Sequence, residues 1–224
     1  MSKLSANLQK GLIGHWTMDD RDTDDGLLRD RSGYDNHGSL INSPTSADGF
    51  IEGEGLDCDG TGYVETPFTS EDLNEVTMSC WVYGRDWSLT QSVLGSQDPE
   101  NFYFLFYASS SGIDFYIGGD NGGRPHASLS NNTWHHIVGT IDLTSTGNPA
   151  NLYVDNKLES SSESTASRIK FHDLPLGELR DDDGTIRGYP LHGILDDVRI
   201  YNRVLSEQEI EALYNMRSQR TSNI

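Results

Sequence analysis

The stretch GILDDVRIYNRVLS, residues 193–206, indicates the fold most clearly in this chain of 224 residues. Its apolar residues alternate as in a β-strand, which puts Val198 and Ile200 on one face and Asp197 and Arg199 on the other. The same alternation predicts that Asp196 shares the inward face with Val198 and Ile200. Because an ionised carboxylate in a core is costly, we expect a cation or several hydrogen-bond donors beside Asp196.

A short helix is predicted directly after this strand. Ser206 and Glu209 have the spacing of a capping box, in which the serine hydroxyl accepts from the third helical N–H and the glutamate reaches back to the cap. The following apolar residues, Ile210, Leu213 and Tyr214, fall on one helical face. The strand and the helix therefore form one unit that closes the chain.

The charge of the chain limits its partners. The formal net charge is −19, from 35 acidic and 16 basic residues, and the acidic residues are spread along the sequence. Such a field repels nucleic acid and other polyanions. Many aspartates with few lysines are typical of proteins from salt-loving organisms, where salt screens the self-repulsion; an ordinary acidic protein is the alternative.

The chain shows neither a signal-peptide-like segment at its start nor an apolar run long enough to cross a membrane. We therefore expect no membrane insertion. Cys58 and Cys80 have apolar or strand-like neighbours, which favours two buried thiols. A disulfide between them stays open, because the sequence does not say whether their strands are adjacent.

Short strands separated by turn residues recur from Leu12 onward, and no strong helix precedes Ser206. Ten or more such strands at sandwich spacing predict an all-β, two-sheet antiparallel sandwich with a short C-terminal helix. Residues 22–42 and 160–167 are rich in turn formers and polar residues, so we expect loops there. The predicted domain covers residues 11–215, with tails at 1–10 and 216–224.

Several motifs together resemble the concanavalin A-like, laminin G-like jelly-roll domains, and they occur in the order of that family. They are GLIGHWTMDD (11–20), DRSGYDNHGSL (30–40), LDCDGTGYVETP (56–67), VTMSCWVY (76–83), TWHHIVGTID (133–142), NLYVDNKL (151–158), LPLGEL (174–179) and GILDDVRIYNRVLSEQEIEALY (193–214). The resemblance implies a jelly roll whose first and last strands pair antiparallel. It says less about function, since one fold hosts many functions.

The resemblance also implies a structural calcium ion, which requires six to eight oxygen ligands. The pairing of the first and last strands would bring several carboxylates together. Our candidate ligands are Asp20, Asp30, Asn36 and Asp196, and the parity of their strands favours Asp20 and Asp196. The alternative is that these carboxylates accept N–H donors, or converge by chance in an acidic protein.

Tyrosines and an aspartate on the central strands predict a ligand-binding sheet face. Sugar rings stack on aromatic side chains and form hydrogen bonds with hydroxyls and carboxylates. The candidate residues are Trp81, Tyr83, Tyr103, Tyr107, Asp114 and Tyr116. The alternative is that a second layer or a neighbouring subunit buries this face.

Catalysis is not predicted. Glycosidases on related folds use two carboxylates across a groove, and the groove-facing strands show no such glutamate pair. Trp134, His135 and His136 resemble structural residues of the family, and no third zinc ligand has suitable spacing. Residues 181–183 form an acidic loop that we expect to be solvated.

The predicted function is a non-catalytic module that binds glycans or surface glycoproteins, without a cofactor other than calcium. A structural assembly component, with the sheet face buried in a homo-oligomer or particle, is the alternative, and a glycosidase-related enzyme is a third. Domains of this fold act mainly outside cells, yet the chain shows no signal segment. A virion or surface protein of a salt-loving host, working in high salt, reconciles these two observations.

Overall fold

The structure is a computed structural model that describes residues 7–51, 53–97, 103–109, 112–118, 123–179 and 188–216, and the backbone alone at 97, 103, 104 and 109. The described part is an all-β sandwich of two antiparallel layers with one short α-helix, as predicted. Among the described residues, no helix is long and apolar enough to span a membrane.

The first layer is an eight-stranded sheet in the order β15-β14-β13-β8-β16-β6-β5, with β1 paired to β16. These strands are β1 (Leu12–Trp16), β5 (Thr45–Asp48), β6 (Glu54–Asp57), β8 (Glu75–Gly84), β13 (Thr133–Asp142), β14 (Pro149–Val154), β15 (Lys157–Glu163) and β16 (Gly193–Tyr201). As expected, the first and last strands pair antiparallel, with Trp16 opposite Val198.

The second layer consists of two four-stranded sheets, β2-β3-β4-β7 and β12-β11-β10-β9. Leu176 joins them, because it bridges to both Val64 and Leu94. The strands are β2 (Thr23–Asp24), β3 (Leu27–Leu28), β4 (Gly38–Ile41), β7 (Tyr63–Glu65), β9 (Gln91–Gln97), β10 (Tyr103–Ser109), β11 (Gly112–Gly118) and β12 (His126–Ser128). A 3-10 helix covers Asp20–Asp22, and α1 covers Glu207–Tyr214.

Two segments predicted to be loops contain strands. Residues 22–42 hold β2, β3 and β4, and the segment from residue 160 continues β15 as far as Glu163. Both predictions of loops were wrong. β2, β3 and β4 have only two to four residues each, which is too short for a strand pattern to show. β15 lies at a sheet edge, where polar residues are tolerated because one face meets water.

The main core lies between the layers. We call the eight-stranded sheet the large sheet and the sheet β12-β11-β10-β9 the small sheet. On the large sheet, alternate residues of β8 and β16 point inward, including Met78, Val82 and Ile200. Phe106 and Phe115 meet them from the small sheet. Cys58 and Cys80 are free thiols in this core. Burial, with nearby carboxylates, raises the pKa of both thiols far above the ordinary value.

A second apolar cluster lies on the outer face of the large sheet, beneath α1. It contains Leu8, Leu12, Val138, Tyr201, Leu205, Ile210 and Leu213. Leu8 is buried, and Arg203 donates to the carbonyl oxygens of Asn7 and Lys10 at 3.0 and 2.7 Å. The predicted N-terminal tail is therefore packed on the domain from residue 7 onward.

A bulge in β16 changes the predicted alternation. The pairing with β8 shifts between Asp196 and Arg199, and Asp197 has a φ of 47°. Leu195, Val198 and Ile200 consequently face the main core. Asp196 pairs with Trp81 on the outer face of the sheet, so its predicted position on the same face as Val198 was wrong, although it is buried at 1% exposure.

Candidate functional site

The outer face of the small sheet carries a row of polar and aromatic side chains. Phe106, Phe115 and Ala127 point into the core. Their neighbours therefore point outward, as alternation requires. Tyr107 pairs with Asp114, and Asp114 pairs with His126, so these three residues form a row across β10, β11 and β12.

Charged side chains surround Asp114 on this face. His126 Nδ1 lies 3.0 Å from one carboxylate oxygen of Asp114, and the Arg124 guanidinium lies 3.6 Å from the other. Arg124 also lies over the Tyr116 ring, 4.2 Å from its centroid. We call Tyr107, Asp114, Tyr116, Arg124 and His126 the aromatic face. Arg124 and His126 are 46% and 45% exposed in their side chains, so solvent reaches both.

A cleft of about 450 Å³ adjoins the aromatic face at the edge of the sandwich. Its walls come from β12, from His135 of β13, and from the end of β14, the following turn and the start of β15. His126 belongs to both the face and the cleft. We call it the edge cleft; its lining is His126, Ala127, Ser128, His135, Val154, Asp155, Lys157 and Glu159.

The structure brings together only part of the predicted ligand face. Tyr107, Asp114 and Tyr116 share the aromatic face, whereas Trp81 and Tyr83 lie on β8 in the other layer. Trp81 is 2% exposed and stacks on Phe50, with ring centroids 3.6 Å apart. The placement of Trp81 and Tyr83 beside Asp114 was therefore wrong, because their strands belong to opposite layers. Tyr103 lies in β10, but its side chain is outside the described part.

The predicted calcium ligands do not converge either. Asp20 is exposed, and buried Asp19 takes the inward position instead. The physical reason is Met18, which has a φ of 63° and ends the alternation of β1. Among the described residues, no group of three or more His, Cys, Asp and Glu side chains is arranged to hold a metal.

Asp30 organises a loop through hydrogen bonds. Its two oxygens accept from the backbone N–H groups of His15, Ser32 and Asn36 and from the Ser32 hydroxyl, at 2.7 to 3.0 Å. Asn36 donates its amide to the Ile13 carbonyl at 3.3 Å, and its own carbonyl accepts from the Trp16 indole at 3.0 Å. Asp30 and Asn36 therefore follow the alternative in which N–H donors satisfy the carboxylate.

Only one of the two carboxylate oxygens of Asp196 has hydrogen-bond donors among the described residues. Its Oδ2 accepts from the N–H groups of Phe50 and Ile51, both at 2.7 Å, while Oδ1 is buried and has no hydrogen-bond partner among the described residues. Burial raises the pKa of Asp196 from 3.8 to about 8, with a further contribution from Asp197 that exceeds that of Asp19, and the two N–H bonds oppose the shift.

Asp197, by contrast, is fully compensated. Its carboxylate accepts from Arg199 at 2.9 to 3.1 Å and lies 2.9 Å from His15 Nε2. Burial opposes its ionisation, but Arg199 and then His15 outweigh that effect and hold the pKa well below its ordinary value. The pKa values of the two neighbouring aspartates of the opening stretch are therefore shifted in opposite directions.

The two histidines of β13 are each held by hydrogen bonds, and His135 also lines the edge cleft. His135 Nδ1 lies 2.8 Å from Asp155, and its Nε2 lies 3.2 Å from the Ser130 backbone N–H. His136 Nε2 lies 3.0 Å from the Ser79 hydroxyl, and burial lowers the pKa of His136 to about 4. Residues 181–183, the predicted acidic loop, lie outside the described part.

A family model described as the concanavalin A-like lectin/glucanases superfamily matches residues 59–211, more than half of the chain. The chain belongs to this superfamily. The family resemblance drawn from the sequence motifs is therefore confirmed. No curated protein matches this sequence.

Solved structures share the fold of this superfamily member. Domain 4 of AbnA, an extracellular GH43 arabinanase from Geobacillus stearothermophilus solved with arabinotriose, is 18% identical, with a TM-score of 0.71 over 91% of this chain and 98% of that one. The binding domain of Paraclostridial Mosquitocidal Protein 1 is 16% identical, with a TM-score of 0.69. The binding domain of botulinum neurotoxin DC in complex with SialylT is 14% identical, with a TM-score of 0.68.

The match to each of the two toxin binding domains covers 93% of this chain but only 52% of the toxin domain, so this chain spans about half the length of those domains. At these identities the likeness shows the fold alone. The solved structures with this fold include a botulinum neurotoxin receptor-binding domain and a domain of an arabinanase.

Sequence reasoning missed Arg124, His126 and the edge cleft. The residues RPHAS at 124–128 carry a weak signal, since His126 and Ser128 alternate with Ala127 as in a strand with one polar face. The strand has only three residues, which is too short for the pattern to stand out from a loop.

Proposed function

We propose that this chain is a non-catalytic module that binds carbohydrate through the aromatic face. The observation that carries the proposal is the row of Tyr107, Asp114 and His126, which sets an aromatic ring, a carboxylate and an imidazole on three adjacent strands. Two strand spacings separate its ends, roughly 10 Å. Aromatic rings pack against the C–H faces of sugars, and fixed charged groups bond to hydroxyls.

The comparisons support this proposal at the level of fold. The AbnA domain was solved with arabinotriose, and botulinum neurotoxin type C is described as dependent on two ganglioside molecules for cell entry. We carry over from them only the class of ligand, a glycan. The binding residues proposed here come from the face of this chain.

A glycan array followed by calorimetry tests the proposal. We expect the wild-type protein to bind a defined set of glycans, and Tyr107→Ala and Tyr116→Ala each to weaken binding about tenfold, which is the loss of roughly 1.4 kcal/mol typical of an aromatic anchor.

Tyr34→Ala is the matched control. Tyr34 is 62% exposed in the loop between β3 and β4, and it belongs to neither the aromatic face nor the edge cleft. Absence of glycan binding by the wild-type protein, or equal losses for all three variants, would contradict the proposal.

The proposed site of action is outside the cell or on the surface of a particle such as a virion, because that is where glycans are reached. High salt is the proposed environment. The charge of −19 supports it, since salt screens repulsion between acidic groups.

Calcium remains a proposal with a smaller set of ligands than the sequence predicted. The orphaned Oδ1 of buried Asp196 fits a cation, and buried Asp19 is a second carboxylate against the same loop. A Cβ at Gly49 would stand 2.9 Å from Asp196, and a Cβ at Gly53 would clash with Asp19, so this loop lies against both carboxylates. Backbone carbonyls and water would have to supply the other ligands, and the ion would act structurally.

A further inference from the structure

The geometry points to the edge cleft as a second part of the binding site, one that holds an uncharged sugar unit of a chain lying on the aromatic face. This inference rests on the proposed function and extends it, because it adds a subsite and a ligand class. None of the cleft residues other than His126 contributes to the aromatic face.

The position of the cleft makes the two regions continuous. β12 is the edge strand of the small sheet, and it faces β14 and β15 at the edge of the large sheet. His126 Nδ1 bonds to Asp114 on the face, while the same ring lines the cleft. A saccharide on the aromatic face that extends past His126 therefore enters the edge cleft.

The cleft has the size and floor of a small-ligand site. Its volume of about 450 Å³ lies within the range of roughly 300 to 1,000 Å³ found for such sites. Ala127 and Val154 are 6% and 7% exposed and give the floor an apolar patch. Ser128 and Glu159 stand on the walls with their polar groups. This combination suits a sugar ring, which has an apolar C–H face and a polar rim.

The charges of the lining favour an uncharged ligand. Each basic side chain of the lining has a carboxylate partner: His126 with Asp114 at 3.0 Å, His135 with Asp155 at 2.8 Å, and Lys157 with Glu159 at 2.7 Å. An anionic sugar would have to displace one of these carboxylates, and the net charge of −19 would add repulsion.

Hydroxyl groups, in contrast, match the paired groups without displacing them. The Lys157 ammonium has three N–H donors and gives one to Glu159, and a carboxylate accepts through two oxygens. The lining therefore offers donors and acceptors close together, and each sugar hydroxyl both donates and accepts.

The test compares variants on three trisaccharides: maltotriose and arabinotriose, which are uncharged, and sialyllactose, which is acidic, alongside a glycan array. Ser128→Trp fills the cleft from an exposed position of β12. Ser161→Trp is the matched control, since Ser161 is an exposed residue of the neighbouring edge strand β15 and does not line the cleft. Glu159→Ala, also at an exposed position, removes an acceptor without filling the cleft.

We expect the bound glycans to be uncharged and Ser128→Trp to weaken their binding at least tenfold, with a smaller loss for Glu159→Ala and none for Ser161→Trp. Thermal melting confirms that each variant is folded. If Tyr116→Ala weakens binding while Ser128→Trp and Glu159→Ala do not, the inference is overturned and the proposed function stands. A preference for sialylated glycans also overturns the inference alone, whereas a wild-type protein that binds no glycan overturns the proposed function itself.

Discussion

Asp196 is a buried carboxylate with one oxygen bound to two N–H groups and the other without a described partner. Its raised pKa means that the native state holds a proton which the unfolded chain releases. Because the native state then binds more protons, the free energy of unfolding falls as the pH rises from about 4 to about 8. A cation bound to Asp196 would remove this loss.

Asp196→Asn tests whether Asp196 binds a cation or is protonated, because asparagine neither titrates nor carries a charge. We expect the melting temperature of the wild-type protein at pH 8 to rise by roughly 5 to 10 °C with calcium at about a hundred times its dissociation constant, since such binding adds about 2.7 kcal/mol. Asp196→Asn should not respond to calcium. In a chelator, its stability should not fall between pH 5 and pH 8, in contrast to the wild-type protein.

Asp20→Asn is the control for this measurement, because Asp20 is an exposed carboxylate, whereas Asp196 is buried. It should keep the calcium response. A wild-type melting curve that is the same in calcium and in chelator would contradict the calcium proposal, and the pH dependence would then report the protonated acid.

At the scale of elements, α1 covers the outer face of the large sheet. The predicted capping box is present: the Ser206 hydroxyl accepts from the Glu209 N–H at 3.4 Å, and Glu209 accepts from the Ser206 N–H at 2.9 Å. Glu209 also binds Arg203 at 2.8 and 2.9 Å, and this pair lowers the pKa of Glu209 to about 2. Arg203 in turn holds the N-terminal segment, so one small network secures both ends of the domain.

Ser206→Ala should lower the free energy of unfolding by about 1 kcal/mol, because the N–H of Glu209 loses its side-chain acceptor and keeps only the Ser206 carbonyl oxygen, at 2.9 Å. Urea denaturation at pH 7 measures the change. Ser206→Thr keeps a hydroxyl at the cap, which can still accept from the Glu209 N–H and donate to the Glu209 carboxylate, and should retain most of the stability. Equal losses in the two variants would show that the cap contributes little.

The same network has a pH dependence of known sign. The pKa of Glu209 is lowered on folding, so its contribution is present above its ordinary pKa and is lost as the pH falls from 4.5 towards 2.

At the scale of the whole molecule, acidic residues outnumber basic ones by 19. Mutual repulsion between them disfavours the compact state, and salt at about 1 M shortens the screening length to roughly 3 Å. The fold therefore gains from salt more than a neutral sandwich of the same size would.

We expect the melting temperature to rise by several degrees between 0.1 and 1 M NaCl. Sucrose, which is excluded from the protein surface without screening charge, is the control. A melting temperature that is independent of NaCl would contradict the high-salt proposal. Light scattering in the same buffers gives the oligomeric state, and a closed oligomer with the aromatic face buried would favour the assembly alternative over glycan binding.

Much of the fold was determined locally. Alternation over β8, β13 and β16 and the spacing of Ser206 and Glu209 predicted these strands and the helix cap, because each depends on neighbours within a few residues. The motif order was sufficient to identify the family. Part of the aromatic face could be predicted in the same way, since Tyr107, Asp114 and Tyr116 follow strand alternation.

Tertiary structure decided the rest. Positive φ values at Met18 and Asp197 reset the alternation, which exchanged Asp19 for Asp20 and moved Asp196 to the outer face. Trp81 and Tyr107 are apart because β8 and β10 belong to opposite layers of the sandwich. The edge cleft combines residues 126–128 with 154–159 across the gap between the sheets, and no local pattern records that approach. The approach of these segments depends on the pairing and packing of strands far apart in the chain. The sequence by itself therefore determined the strands and the family, and only the packed structure decided which side chains meet.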